Sequence, residues 1–266
     1  MKAMPNKSAL GDLLKQWRGL RGRSQLDISV DTGISQRQIS FIESGRSIPS
    51  RSTLMGIAQA LEIPLRERNA LLLAAGYAPV YSDAAWNSDE MKTIGQALTR
   101  MLTQHEPYPA LVMDRYWNVV LTNAAAPRFF NCFIDLSRHP APRNLLHLMF
   151  DPQGMRPFIA NWEVLAKTLL QRVQREAVGH VVDQKTKDLV ADLLAYPDVQ
   201  SDWKAPEMPL PMIPISFAKD GAILNYFSLI TTVGTPQTIA AQELRVECMY
   251  PADDETEARH AKLLGH

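Results

Sequence analysis

Across residues 1–78, apolar positions recur at helical intervals in short groups bracketed by capping residues or glycine. Ser8 precedes Leu10, Leu13, Leu14 and Trp17, and Gly19 and Gly22 close that group, which predicts a first helix. Ser24 opens a second, with Ile28 facing inward, that stops at Thr32-Gly33. Ser35 opens a third, with Ile39 and Ile42 one face apart, that stops at Ser44-Gly45. A fourth follows SIPSR and carries Leu54, Ile57, Ala58 and Leu61. A fifth follows Pro64, carries Leu65, Leu71, Leu72 and Leu73, and ends at Gly76. Helices this short and this closely spaced predict a small, complete all-α domain.

From about Pro79 the pattern changes. Residues 88–104 predict one more helix (Met91, Ile94, Leu98, Met101, Leu102), suited to linking domains or pairing subunits. YPALVMDRYWNVVLTN (108–123) holds two apolar runs around Asp114-Arg115, a strand–turn–strand signal. Residues 156–177 predict a helix with Phe158, Trp162, Leu165, Leu169 and Val173 on one stripe, and 185–196 another. Residues 212–233 alternate as a hairpin around Lys219-Asp220-Gly221, and QELRVECMY (242–250) supplies a last strand. The second part therefore reads as α+β, with about five strands and with helices between the second and third.

Charge sharpens this division. The chain of 266 residues is formally neutral, 28 Lys plus Arg against 28 Asp plus Glu. Residues 1–80, however, hold eleven basic and six acidic residues, a net +5, and the remainder is −5. Whole-chain neutrality hides a basic module. Two cysteines, Cys132 and Cys248, are too few for a disulfide scaffold, and a buried structural role fits them better than a redox one. The N-terminus lacks the apolar stretch of a secretion signal, and no run is long enough to span a membrane, so a cytoplasmic protein is expected.

The segment QLDISVDTGISQRQISFIESG (25–45) carries the strongest chemical signal. A helix-turn-helix needs a short first helix, a tight turn and a second helix that fits the major groove. Gly33 supplies the left-handed backbone of the turn. With Ser35 as cap, Gln36, Arg37 and Gln38 project from the first turn of the second helix, away from the Ile39/Ile42 side. Gln pairs bidentately with adenine and Arg with guanine, and Phe41, one turn further on, suits a thymine methyl.

On the pattern RGRSQLDISVDTGISQRQISFIESGRSIPS, residues 8–75 resemble the xenobiotic-response-element class of helix-turn-helix, shared with lambdoid phage repressors. The resemblance implies a lambda-repressor-like domain in which Gln25 and Ser35 hold phosphates and Gln36, Arg37 and Phe41 face bases. Arg46 and Arg51 would then reach the DNA backbone, and Arg18 and Glu43 would form a structural ion pair. Ser29 stands where such motifs usually carry alanine.

The rest of the chain is similar to the MmyB-like regulators of that class. The supporting stretches are PLRERNALLLAAGYAPVY (64–81), NWEVLA (161–166), LLAYPDVQSDW (193–203), FSLITTVGTPQTIAAQELRVE (227–247) and the YPAD that follows. This likeness implies a PAS-like C-terminal domain, a five-stranded antiparallel sheet with helices packed on one face, that binds a small apolar ligand such as a fatty acid. The organisation expected is a DNA-binding domain over 1–80, a linker helix over 81–104, a PAS-like domain over 105–256 and a tail over 257–266. Phe130, Met149, Phe158, Trp162 and Tyr226 are the candidates to line a cavity, although such stripes equally suit plain core packing. Asn123 reads as a helix cap.

Catalytic signatures are missing: there is no G-x-S-x-G, no G-x-G-x-x-G and no P-loop. The six histidines show no metal-ligand spacing. The expectation is a transcription regulator rather than an enzyme, with no metal or cofactor. It would bind double-stranded operator DNA as a homodimer and respond to a small apolar ligand. The alternative is a C-terminal half that serves only for dimerisation or protein partners, without a ligand.

Overall fold

The computed structural model describes residues 7–175, 183–200, 212 and 214–265. The chain divides into two compact units. The first comprises residues 1–84 together with 235–242, and the second comprises 85–234 and 243–266.

The first unit contains α1 (Lys7–Leu20), α2 (Gln25–Thr32), α3 (Gln36–Glu43), α4 (Arg51–Ala60) and α5 (Leu65–Ala74). Local chemistry sets their ends. Ser24 caps α2 in a capping box with Asp27, and Ser35 and Ser50 accept the N–H groups of Gln38 and Thr53 to start α3 and α4. Gly33 closes α2 at φ 71°, the left-handed backbone that the turn requires. Two expected boundaries shift. Ser8 lies inside α1, where its hydroxyl donates to Asp12, and Gly19 is still helical, so α1 ends at Leu20 and turns at Gly22.

The apolar faces of these helices meet in one core that includes Leu10, Leu14, Trp17, Ile28, Ile39, Ile42, Leu54 and Ile57. One contact is backbone to backbone. A Cβ placed on Gly11 would lie 2.2 Å from the Glu43 carbonyl oxygen, so α1 and α3 approach at a point where only glycine fits. Residues 235–242 complete the unit: Ile239 N–H donates to the Ser82 carbonyl at 2.9 Å and Leu65 N–H to Gln242 Oε1 at 2.7 Å.

The second unit begins with α6 (Lys92–Gln104), which packs on the two strands that follow it, β1 (Ala110–Met113) and β2 (Val119–Thr122). Next come α7 (Ala125–Asn131), α8 (Leu145–Phe150), α9 (Trp162–Arg175) and α10 (Gln184–Leu194). The hairpin of β3 (Ile215–Lys219) and β4 (Ala222–Thr231), then β5 (Arg245–Pro251) and α12 (Asp254–Leu264) complete the order, while the short α11 (Ile239–Glu243), between β4 and β5 in the chain, falls mostly within residues 235–242 of the first unit. All strand pairs are antiparallel, in the order β2-β1-β5-β4-β3. The unit is the expected α+β, PAS-like fold. Its hairpin turns through Asp220 and Gly221, both at positive φ, the two-residue geometry that matches strand twist.

Two elements differ from the expectation. The helix predicted over 156–177 starts at Trp162, because residues 156–158 form a single tight turn and Ile159 leaves it to bridge to Phe217 on β3. Its last two positions, 176 and 177, lie outside the described residues, as do 201–203 of the LLAYPDVQSDW stretch. Residues 257–264, expected as a tail, belong to α12, which packs on β4 and β5. The core of the unit lies between the sheet and α7–α9, with Phe129, Phe150, Phe217 and Tyr226 fully enclosed.

Candidate nucleic-acid interface and apolar cavity

In the first unit, α3 buries Ile39, Ile42 and Glu43 and leaves Gln36, Arg37 and Gln38 exposed in its first turn. Ser35, Arg46 and Arg51 are exposed and Phe41 is half-buried. The guanidinium carbons of Arg37 and Arg46 lie 5.3 Å and 5.6 Å from the centre of the Phe41 ring. One aromatic side chain thus gathers two cations from either end of α3. Arg51 lies over Tyr77 at 5.8 Å, and the Tyr77 hydroxyl donates to the Pro49 carbonyl.

Behind this surface Arg18 forms a forked pair with Glu43, whose side chain is 3% exposed. The hydrogen bond with Glu43 raises the pKa of Arg18 above its ordinary value, against the opposing effect of burial. Gln25, expected to hold a phosphate, has its amide on the same carboxylate, Nε2 to Oε2 at 2.8 Å. An amide nitrogen carries two N–H groups, and this bond uses one of them.

The second unit holds a narrow apolar cavity of about 20 Å³, enough for a water-sized sphere and too small for a drug-sized ligand without opening. The sheet contributes Leu111, Ile215, Phe217, Glu247 and Met249 to its wall. The helices contribute Phe130, Leu145, Leu146, Met149 and Leu169, and the β1–β2 turn contributes Trp117. Of the expected lining residues, Phe130 and Met149 are in this wall. The other three are packed elsewhere in the core. Phe158 is edge-on to Phe133, and Trp162 lies between Phe150 and the Arg156 guanidinium. Tyr226 meets His260, its hydroxyl 2.7 Å from Nδ1, and burial pushes its phenol far above the ordinary range.

Trp117 is held by its turn. Its backbone is left-handed, φ 68°, an unfavourable state for a bulky residue, and the indole is buried. The Asp114 carboxylate accepts the N–H groups of Tyr116 and Asn118 at 2.8 Å and 2.9 Å and also the Asn118 amide. Asn144 donates to the Tyr116 carbonyl, and Leu145 N–H to that of Trp117. These bonds over-determine the turn and hold the indole ring in the core.

Over that ring, 4.5 Å from its centre, lies the guanidinium of Arg172, paired with Glu247 through Nη2–Oε2 at 2.9 Å and Nη1–Oε1 at 3.4 Å. Glu247 is 4% exposed. It is in register with Leu111 on β1, and both line the cavity. No signal in spacing alone singled out this pair. An acidic residue on the alternate face of an apolar strand was the trace that it left in the sequence.

A second, partly buried cluster joins Arg115 to Glu243 at 2.8 Å and to Asp183 at 3.2 Å, with the Tyr116 hydroxyl donating to Asp183 at 2.8 Å. Burial foremost, then the bond to Asp183, pushes Tyr116 up to about 12. Asn123 does brace a helix: its Oδ1 accepts the Ala126 N–H at 3.0 Å, while its amide donates to Tyr108 and Leu102 carbonyls. Cys132 is half-buried and Cys248 buried, and desolvation raises both thiols, which suppresses thiolate chemistry. Among the described residues no helix is long and apolar enough to cross a membrane.

Comparison with known families agrees with both halves of this geometry. Residues 14–68 match the family described as helix-turn-helix, and residues 94–263 match the MmyB-like transcription regulator ligand binding domain. No curated protein matches the chain.

Proposed function

Since the chain belongs to the MmyB-like transcription regulators, its basic helical unit being a helix-turn-helix, we propose that it binds a two-fold operator as a homodimer and releases or grips it according to a small apolar, fatty-acid-like ligand. The coarse activity is that of a DNA-binding transcription regulator with a ligand-binding domain. The observation that carries the finer reading is the first turn of α3. Gln36, Arg37 and Gln38 are exposed there beside Phe41, on a helix fixed from behind by Arg18 and Glu43.

In this reading Gln36, Arg37, Gln38 and Phe41 face base edges, while Gln25, Ser35, Arg46 and Arg51 hold phosphates. A dimer doubles a small contact and sets the half-sites one helical turn apart. The ligand enters the cavity walled by Phe130, Met149 and Trp117 by selecting a wider state of the second unit. Met149 is a flexible wall suited to that widening. The ligand controls DNA binding only if it prefers one of two dimer states, because equal affinity shifts nothing. Footprinting on a selected operator tests the DNA reading: protection should span two half-sites about 10–11 base pairs apart, or a multiple of that. A single short footprint with one chain bound rejects the dimer. No thermal shift with any member of a lipid panel would favour the alternative, a second unit that serves assembly alone.

A further inference from the structure

A groove of about 590 Å³ runs between the β3–β4 hairpin and the last turns of α12, within the size range of small-molecule sites. Ala222, Leu224 and Leu263 give it apolar surface, and Lys219, Asp220, Arg259 and Lys262 carry its charge. Arg259 is paired with Glu255, one turn earlier on α12. Neither Lys219 nor Lys262 has an ion-pair partner among the described residues. The three cations, set against Asp220 and Glu255, leave one positive charge in excess. Residues 81–266 as a whole are acidic, so the groove is a local concentration of the opposite sign.

The groove adjoins the apolar cavity. Leu224 in the groove is the register partner of Phe217 on β3, and Phe217 is in the cavity wall. Residues opposite one another on antiparallel strands share a face of the sheet, about 5 Å apart. A second link runs through Phe133. The Lys219 ammonium stands 5.9 Å from the centre of that ring, which packs 5.4 Å from the ring of Phe217. A singly charged anion would neutralise the excess of the groove, whereas a cation would add to it. We infer that Lys219 and Lys262 hold the carboxylate of an alkyl acid at the mouth of the cavity, and that its chain passes Leu224 and Phe217 to enter. The inference rests on the reading of the second unit as the site of a fatty-acid-like ligand, and it specifies where the charged end of that ligand sits.

Titration calorimetry on the full chain with decanoate and methyl decanoate, the same chain without the charge, tests it. Decanoate should bind about fivefold more tightly at neutral pH, the size of two solvent-exposed ion pairs, and the ratio should fall as salt is raised. In the double variant Lys219→Gln/Lys262→Gln the two compounds should bind within about twofold of each other. Lys262 is exposed, so Lys262→Gln alone, which should about halve the ratio, covers the case in which the double variant does not fold. Lys92→Gln removes an exposed charge from α6 of the same unit and should leave the ratio as it was. Three outcomes overturn the inference and leave the ligand reading intact: equal binding of acid and ester by the unaltered chain, a ratio that survives the loss of both lysines, and a ratio that falls as far in Lys92→Gln. Binding of neither compound overturns the ligand reading itself, and the inference with it.

Discussion

Arg18 and Glu43 are locked together by two hydrogen bonds, Nε to Oε1 at 2.8 Å and Nη2 to Oε2 at 3.1 Å. The pair ties α1 to the last turn of α3, and Gln25 brings the start of α2 to the same carboxylate. The direction in which α3 presents its first turn therefore depends on a carboxylate buried behind it. Glu43→Ala removes every one of these bonds and leaves Arg18 without its counter-charge. A loss of about 3 kcal/mol is expected, at the lower end for breaking a buried pair because Arg18 is partly open to solvent. Urea denaturation of the full chain, followed by helical circular dichroism, measures it. An unchanged midpoint would show that the pair does not hold the helices.

Gly11 makes the same junction from the backbone side. A methyl group at this position would strike the Glu43 carbonyl, which is part of a helix and has nowhere to retreat. Gly11→Ala would stabilise an isolated helix by about 1 kcal/mol. Here it should destabilise by about 2 kcal/mol, the cost of overpacking a tight contact. A rise in melting temperature would contradict the close approach of α1 and α3.

Arg37 and Arg46 share the Phe41 ring but should differ on DNA. Arg37 stands in the first turn of α3, so Arg37→Ala should cost about 1–3 kcal/mol on the operator and relax discrimination at one base position. Arg46 lies beyond the end of α3, so Arg46→Ala should weaken operator and random DNA alike and lower the salt dependence by about one charge. Gel-shift titrations over a salt series separate the two. Identical behaviour on both DNAs would reverse the assignment of the recognition turn.

The first unit was largely legible because its signals are local. Ser24, Ser35 and Ser50 cap the helices that follow them, and Gly33 makes the turn. The cavity was less so, because alternation misleads on a strand buried on both faces. In RVECMY, Val246 and Cys248 look like the core face, yet both they and their neighbours Arg245 and Glu247 are buried, and it is Glu247 and Met249 that reach the cavity. Glu247 can face inward only because Arg172, 75 residues earlier, meets it there. A pairing at that separation has no spacing rule. Trp162 and Tyr226 were plausible lining by size and periodicity, but the rings of Phe150 and Phe129 occupy the positions beside them.

Acid should act on the second unit through Asp183. Burial, the largest influence, raises its pKa, but hydrogen bonds from Thr186 and Tyr116 and the charge of Arg115 together outweigh it and hold the carboxyl below its ordinary value near 3.8. With the folded value depressed, the unfolded chain binds the proton more readily. The stabilisation is complete above the ordinary carboxylate range and is lost as pH falls through the folded value. Asp183→Asn should lower stability at neutral pH and flatten the acid limb of a urea-midpoint profile below about pH 5. A profile parallel to that of the unaltered chain would remove Asp183 from the acid response.

Trp117 is held in its left-handed conformation by Asp114, and that dependence can be separated from simple packing. The strain at Trp117 is of order 1–3 kcal/mol, and the turn bonds that offset it converge on one carboxylate. Asp114→Ala removes three of those bonds without touching the indole, and a loss of about 2–3 kcal/mol is expected. Trp117→Phe keeps the backbone problem and shrinks the ring under Arg172, so it should cost less than Asp114→Ala if the turn bonds dominate. The double variant distinguishes the two causes. If Asp114 acts by positioning Trp117, the losses overlap and the pair costs less than the sum of the singles, whereas full additivity would mean that the turn and the ring contribute independently.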